Sequence, residues 1–177
     1  GHSGGDEGYR TYFGFVPEKK AAVVLMANHD YLYTGVAARA LLGELFEIKD
    51  KLVLRTPIHL ELRKHILGPN GIEKCKAIYR EAKEKYPNQY YLSGGNLDNL
   101  GYMLLDRQKY QAARDIFLFN IELFPEEAGF YDSVGDAYRA EGKDEEALNW
   151  YRKALAKDKS LDFTKKKIKE MTRDQKP

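Results

Sequence analysis

GGNLDNLGYMLLDRQKYQAARDIFLFNIELFPEE, residues 94–127, and AGFYDSVGDAYRAEGKDEEALNWYRKALAKDKSL, residues 128–161, carry one apolar skeleton twice at an offset of 34 residues. Leu97, Leu100, Gly101 and Leu104 of the first copy stand over Tyr131, Val134, Gly135 and Tyr138 of the second. Ala113 and Phe117 stand over Ala147 and Tyr151, and Pro125 closes the first copy only. Apolar residues three and four apart predict two helices per copy. Glycine and alanine at matched places predict where two helices come within backbone reach, with large residues filling the space around them. Each copy is apolar on more than one side, so it needs a neighbour to cover it.

This spacing resembles the tetratricopeptide repeat: large, then large-small, then large on the first helix, small then aromatic on the second. The resemblance implies an all-α array that binds a protein or peptide segment along a concave face lined by the first helix of each repeat. The lining positions would include Asp98, Asn99, Tyr102 and Leu105, then Asp132, Ser133, Asp136 and Arg139. Arrays of this family that grip a C-terminal carboxylate use lysine and asparagine there. Here most of the charges are acidic, which disfavours that ligand by like-charge repulsion. The expected ligand is a basic or neutral segment with Tyr102 as an aromatic contact. The alternative, an array with solvated side chains that only spaces or dimerises its neighbour, stays open.

Working outward, residues 57–93 read as a degenerate first repeat. A helix from Pro57 would carry Leu60, Leu62, Ile66 and Leu67 and stop at Gly68-Pro69-Asn70-Gly71. A second, Ile72 to Tyr86, carries Cys75, Tyr79 and Ala82, which a shift of 38 sets on Ala113, Phe117 and Asn120, leaving four extra residues in the Asn88 to Ser93 connection. Arg63 stands where the later repeats have glycine. Cys75 at a small-residue position reads as a buried, inert thiol. Residues 162–177 read as a capping helix and tail with Phe163, Ile168 and Met171 inward. Lys165, Lys166, Lys167 and Lys169 would form the solvated face of a terminal repeat, with a basic docking patch as the alternative.

The first fifty residues differ. Tyr9 to Val16 reads as an aromatic strand, Pro17-Glu18-Lys19-Lys20 as a turn, and Ala21 to Ala27 as a second strand, apolar throughout as if covered on both faces. Asn28 and Asp30 offer helix caps, and Val36, Ala40, Leu41 and Leu45 repeat at helical spacing. Two strands alone do not stand in water, so this hairpin and helix read as part of a larger sheet mostly missing from the sequence. The run Gly1-His2-Ser3-Gly4-Gly5, aromatic strand, Pro-Glu-Lys turn, apolar strand and closing helix is similar to the carboxyl end of a serine β-lactamase-like hydrolase. The nearest branch is that of class C β-lactamases and D-alanyl-D-alanine peptidases or esterases.

That resemblance makes His2-Ser3-Gly4 the third active-site box. It implies that His2 stands near the substrate carboxylate and the proton-transfer network, and that the Gly5 N–H is an oxyanion donor. It also implies a bacterial cell envelope. No Ser-x-x-Lys nucleophile occurs anywhere in the chain. Thr164-x-x-Lys167 and Tyr86-Pro87-Asn88 match active-site boxes only by chance, so this chain alone is not expected to be an enzyme, whereas a parent protein would be a serine hydrolase. The same glycine run also spells the Gly-x-Ser-x-Gly of a nucleophile elbow, which needs a strand before it and a helix after it. It fails as a phosphate loop, since no Gly-Lys-Ser/Thr follows. A glycine-rich turn without a role is the remaining reading.

Composition narrows the rest. The chain has 177 residues, 43% hydrophobic, with 29 basic and 27 acidic residues for a net charge of +2, which gives no general pull toward nucleic acid. No stretch approaches the roughly 20 apolar residues of a membrane helix. One cysteine permits no internal disulfide. His59 and His65 are six apart and share no helix face, so neither a metal nor a cofactor is expected. The fold expected is an α+β fragment (residues 1–48), a linker (49–56) and an all-α array, mostly α overall, with self-association through the unpaired amino-terminal strands as a further partner expectation.

Overall fold

The computed structural model of the chain describes residues 2–6, 9–27, 34–46 and 55–174. The chain forms two compact units, Gly1–Arg55 and Thr56–Pro177. In the first, β1 (His2–Asp6), β2 (Tyr9–Val16) and β3 (Ala21–Ala27) make an antiparallel sheet in the order β1-β2-β3. The register runs from His2 opposite Phe13 to Asp6 opposite Tyr9, and from Arg10 opposite Ala27 to Val16 opposite Ala21. A 3-10 turn, Pro17–Lys19, joins β2 to β3 and ends on Lys20 at φ 50, whose N–H donates to the Pro17 carbonyl at 3.0 Å. Helix α1 (Thr34–Leu45) packs across β2 and β3. Gly14 on β2 and Gly35 on α1 leave the space that the Tyr12 ring fills, since a Cβ on Gly35 would stand 3.0 Å from that ring.

This unit departs from the sequence reading in several ways. The glycine-rich run is a strand, so the expected hairpin is a three-stranded sheet among the described residues. Strand follows strand there, and the helix that a nucleophile elbow requires is replaced by β2. β3 is not covered on both faces. Val24 and Met26 are exposed, as are Phe13, opposite Val24 on β2, and Phe15 two residues on, with the two phenyl rings 5.9 Å apart. On α1 it is Ala38 that is fully buried, while Leu41 and Leu45 face outward. The cap positions Asn28 and Asp30, residues 47–54 that include most of the linker, the side chain of Val36 and the terminal residues 175–177 lie outside the described residues.

The second unit opens on β4 (Thr56–Pro57), α2 (His59–Leu62), α3 (Gly71–Lys85) and β5 (Tyr90–Tyr91). β4 pairs in parallel with β5, Thr56 opposite Tyr90 and Pro57 opposite Tyr91. The four extra residues of the α3 to α4 connection thus supply a strand that clasps the chain entering the unit. The helix expected from Pro57 to Leu67 is corrected to one turn. Beyond Leu62 the chain continues in tight turns, with His65 N–H to the Leu62 carbonyl and Gly68 N–H to the His65 carbonyl. Arg63 is exposed and does not sit at a helix crossing. Ile58, Leu62 and Ile66 are the buried apolar residues of this stretch, and His59 is buried with them.

From Gly94 the repeat is regular. Helices α4 (Gly94–Asp106), α5 (Tyr110–Leu123), α6 (Ala128–Ala140), α7 (Asp144–Lys157) and α8 (Asp162–Asp174) follow, with α4, α6 and α8 starting 34 residues apart, and α5 and α7 likewise. Both hairpins close with one turn geometry. Lys109 N–H donates to the Leu104 carbonyl and Lys143 N–H to the Tyr138 carbonyl, each bond reaching back five residues. The residue before each takes a positive φ, Gln108 at 57 and Gly142 at 80. Leu97, Leu100, Ala113, Phe117, Val134, Ala147 and Tyr151 are at most 1% exposed. Gly101 lies against the Phe117 ring and Gly135 against the Tyr151 ring, so close that a methyl group at either place would collide. The matched glycines mark the helix crossings that their spacing implied.

Between the two regular repeats Arg114 is buried. Its guanidinium pairs with the Glu141 carboxylate, donates to Gln111 Oε1 at 2.7 Å and stacks 4.9 Å from the Tyr138 ring centroid. On α8, Met171 is buried and Ile168 packs on the Ala147, Leu148 and Tyr151 cluster. Phe163, expected inward, is 82% exposed. Thr164 takes the buried place in that turn.

Candidate functional site

The 34-residue register sets equivalent turns of α4, α6 and α8 side by side, and their polar side chains meet. At the centre is Asp136 on α6. Its Oδ2 accepts from the Tyr102 hydroxyl on α4 at 2.7 Å, and its Oδ1 accepts from the Tyr151 hydroxyl on α7 at 2.7 Å. Lys167 Nζ, from α8, donates to Asp136 Oδ1 and Oδ2 at 2.6 and 2.7 Å and to Asp132 Oδ2 at 2.6 Å. Asp132 Oδ1 accepts from the Thr164 hydroxyl at 2.7 Å. Ser133 stands between the layers, its hydroxyl 3.3 Å from that of Tyr102 and donating to the Gly129 carbonyl at 3.2 Å.

Asp98 on α4 completes the group. Its Oδ1 is buried without a hydrogen-bond partner. Burial first, then the nearby Asp136 and Asp132 carboxylates, push the Asp98 carboxyl up to about 6, against the opposing pull of Ser133 and Lys167. The Tyr102 and Tyr151 hydroxyls are raised above the usual tyrosine range by burial and then by Asp136. For Lys167, burial disfavours the charge but the hydrogen bonds to Asp132 and Asp136 outweigh it, and the net shift is upward. Three carboxylates therefore face one ammonium in a partly desolvated site.

Of the residues expected to line the face, Asp98, Tyr102, Asp132, Ser133 and Asp136 come together. Asn99 and Leu105 are half-buried on α4 beside them, and Arg139 lies at the margin, exposed, 3.9 Å from Glu170 of α8. The acidic positions are not open, as the sequence reading took them to be. Asp132 and Asp136 are engaged by Lys167, which is 24% exposed and is not part of a solvated lysine face. Lys167 and Thr164 were missed as site residues. The signal was present: one more step of 34 from Asn99 and Ser133 falls on Lys167.

The other polar candidates are structural. His59 is fully buried with Nδ1 2.8 Å from Asn96 Oδ1, and Asn96 Nδ2 donates to Ser93 Oγ at 2.7 Å. Asn120 Nδ2 donates to the Gly94 carbonyl at 2.9 Å and so holds the start of α4. Cys75 is fully buried, its thiol 3.4 Å from the Leu62 carbonyl and pushed by burial up to about 11, so it holds its proton at neutral pH. No cluster of three or more His, Cys, Asp or Glu suited to a metal ion occurs among the described residues, and no described helix is long and apolar enough to cross a membrane. His2, Ser3, Gly4 and Gly5 form most of β1 in the first unit.

The profile of the TPR repeat family matches residues 135–162, the span from the Gly135 crossing through α7 to the first residue of α8. With the register above, the second unit is an array of helical hairpins that resembles a TPR array, and this span of it matches the family. Among solved structures, the MamA protein is 19% identical with a TM-score of 0.39, over 70% of this chain and 55% of that one. The N-terminal domain of stress-induced protein-1 (STI-1) from C. elegans is 16% identical with a TM-score of 0.42, over 78% of this chain and 94% of that one. The chain thus spans about half the length of the first of these. No curated protein sequence matches the chain at a significant level.

Proposed function

We propose that the array, with repeats over residues 57–93, 94–127 and 128–161 and a cap over 162–177, binds a basic or neutral polypeptide segment across the face shared by α4, α6 and α8. Asp98, Asn99, Tyr102, Asp132, Asp136 and Arg139 are its contact residues. The convergence of three carboxylates with the Tyr102 hydroxyl carries this reading, because such a site rewards a cation and repels an anionic chain end. The test is a peptide array of short segments graded from acidic to basic, probed with the wild-type chain and with Asp98→Lys and Asp136→Lys. Retention of basic spots that falls about tenfold in both variants supports the reading. Equal retention by all three proteins refutes it.

On the resemblance of residues 1–48, a second proposal attaches this array to the end of a serine β-lactamase-like hydrolase, with His2, Ser3, Gly4 and Gly5 as its third box and oxyanion wall. Two observations support it. The glycine run is an outer strand beside the aromatic strand, and the unit leaves Phe13, Phe15, Val24 and Met26 exposed on one side and Leu41 and Leu45 on the other. By itself the chain is non-catalytic on this reading. Reading the coding sequence upstream of residue 1 tests it: Ser-x-x-Lys followed by Tyr-x-Asn supports the proposal, and an open frame without them removes it.

A further inference from the structure

We propose that α8 is a displaceable latch on the groove, with Lys167 holding the position that an arginine side chain of an incoming segment takes when it binds. The inference rests on the groove reading above and adds to it the ligand's key residue and a mode of regulation. Lys167 is no ordinary surface lysine: its ammonium sits within 2.7 Å of three carboxylate oxygens on α6 and 5.3 Å from the Tyr151 ring centroid. It is the cation that the acidic face calls for, supplied by the chain itself.

The attachment of α8 is of the kind that exchanges. Its apolar anchorage among the described residues is Met171 and Ile168, while its first aromatic residue, Phe163, points away. Much of the rest is polar: Lys167 to Asp132 and Asp136, Thr164 to Asp132, and Glu170 to Arg139 at 3.9 Å. A ligand cation that replaces Lys167 restores the ion pairs to Asp132 and Asp136, so the exchange leaves neither of these two carboxylates without a countercharge.

Arginine is the better occupant. An ammonium has three donors, and Lys167 already has three carboxylate oxygens of Asp132 and Asp136 within reach. A guanidinium has five donors in a planar fork, enough to engage Asp132 and Asp136 and also reach Asp98 Oδ1, the buried oxygen now without a partner. Displacing the latch therefore satisfies an acceptor that the closed state leaves unsatisfied.

Amide hydrogen exchange on the full chain tests this, with and without a saturating peptide of alternating arginine and glycine, followed by fluorescence anisotropy with Lys167→Met. The latch predicts that α8 is protected in the free protein and exchanges at least about tenfold faster with peptide bound, while α4 and α6 are slowed. It also predicts that Lys167→Met binds the peptide about tenfold more tightly, because an internal competitor has been removed. Peptide binding with α8 protection unchanged or increased, an unprotected α8 in the free protein, or no gain in affinity in Lys167→Met would each overturn the latch while leaving the groove. Peptide bound by neither protein, or bound equally by Asp136→Lys, would overturn the groove reading and the latch with it.

Discussion

Gln108 and Gly142 occupy one position in successive turns, both left-handed, but only the second is the residue that suits that conformation. A side chain at positive φ costs about 1 kcal/mol. Gln108→Gly is therefore expected to stabilise the array by a few tenths to about 1 kcal/mol, and Gly142→Ala to destabilise it by about 1 kcal/mol, in denaturant titrations. Asp98 is a second strained residue, for an electrostatic reason. Its carboxyl titrates at about 6 in the fold against 3.8 unperturbed, so the folded state holds its proton more tightly. That contribution is present below the unfolded value and is lost as pH rises through about 6. Asp98→Asn should therefore gain stability relative to wild type as pH goes from 4 to 7, by roughly 1–3 kcal/mol at the upper end. A difference that stays flat across that range contradicts the assigned environment. None of this was visible in the residue types, because an aspartate on a helix reads as solvated until its neighbours across the repeat are known.

The helices follow from where small residues stand. Gly101 and Gly135 admit the Phe117 and Tyr151 rings, so Gly101→Ala and Gly135→Ala are each expected to cost about 1–3 kcal/mol by overpacking. Gly129, with open space around its Cα, serves as the control, and its alanine variant should be neutral or better. A thermal melt in which all three behave alike would refute the close-approach account. This part of the fold was legible because close packing leaves only glycine or alanine at a crossing, and the 34-residue register repeats it. The first repeat was less legible. Its α2 stops after one turn where the apolar spacing continued to Leu67, and the pairing of β4 with β5 that clasps the entering chain depends on residues some 34 positions apart. Phe163 misled for a related reason: near a helix end, burial is decided by what the helix packs on, and Thr164 faces Asp132 there. The Lys167 clamp has its own pH signature. With its ammonium held above the usual lysine range by the hydrogen bonds to Asp132 and Asp136, Lys167 stays charged through neutral pH, and its contribution is lost as pH rises through the higher folded value. Protection of α8 should accordingly persist from pH 6 to 9.

At the scale of the molecule the two units tell different stories. The first has apolar residues on both outer surfaces, Met26 and Val24 on the sheet and Leu41 and Leu45 on the helix. The second has a continuous core from Ile58 to Ala137 and a terminal helix set on Leu148 and Tyr151. The acidic face of that array was legible as a row of residues, whereas its state was not, because the countercharge arrives from a helix whose lysines looked like a solubilising surface. The most direct test of the central claim is calorimetric titration of the arginine-glycine peptide into the wild-type chain and into Asp136→Lys at low and at moderate salt. The account predicts binding to the wild type that weakens with salt and falls at least about tenfold in Asp136→Lys. Equal binding by the two proteins, or none by the wild type, would contradict it.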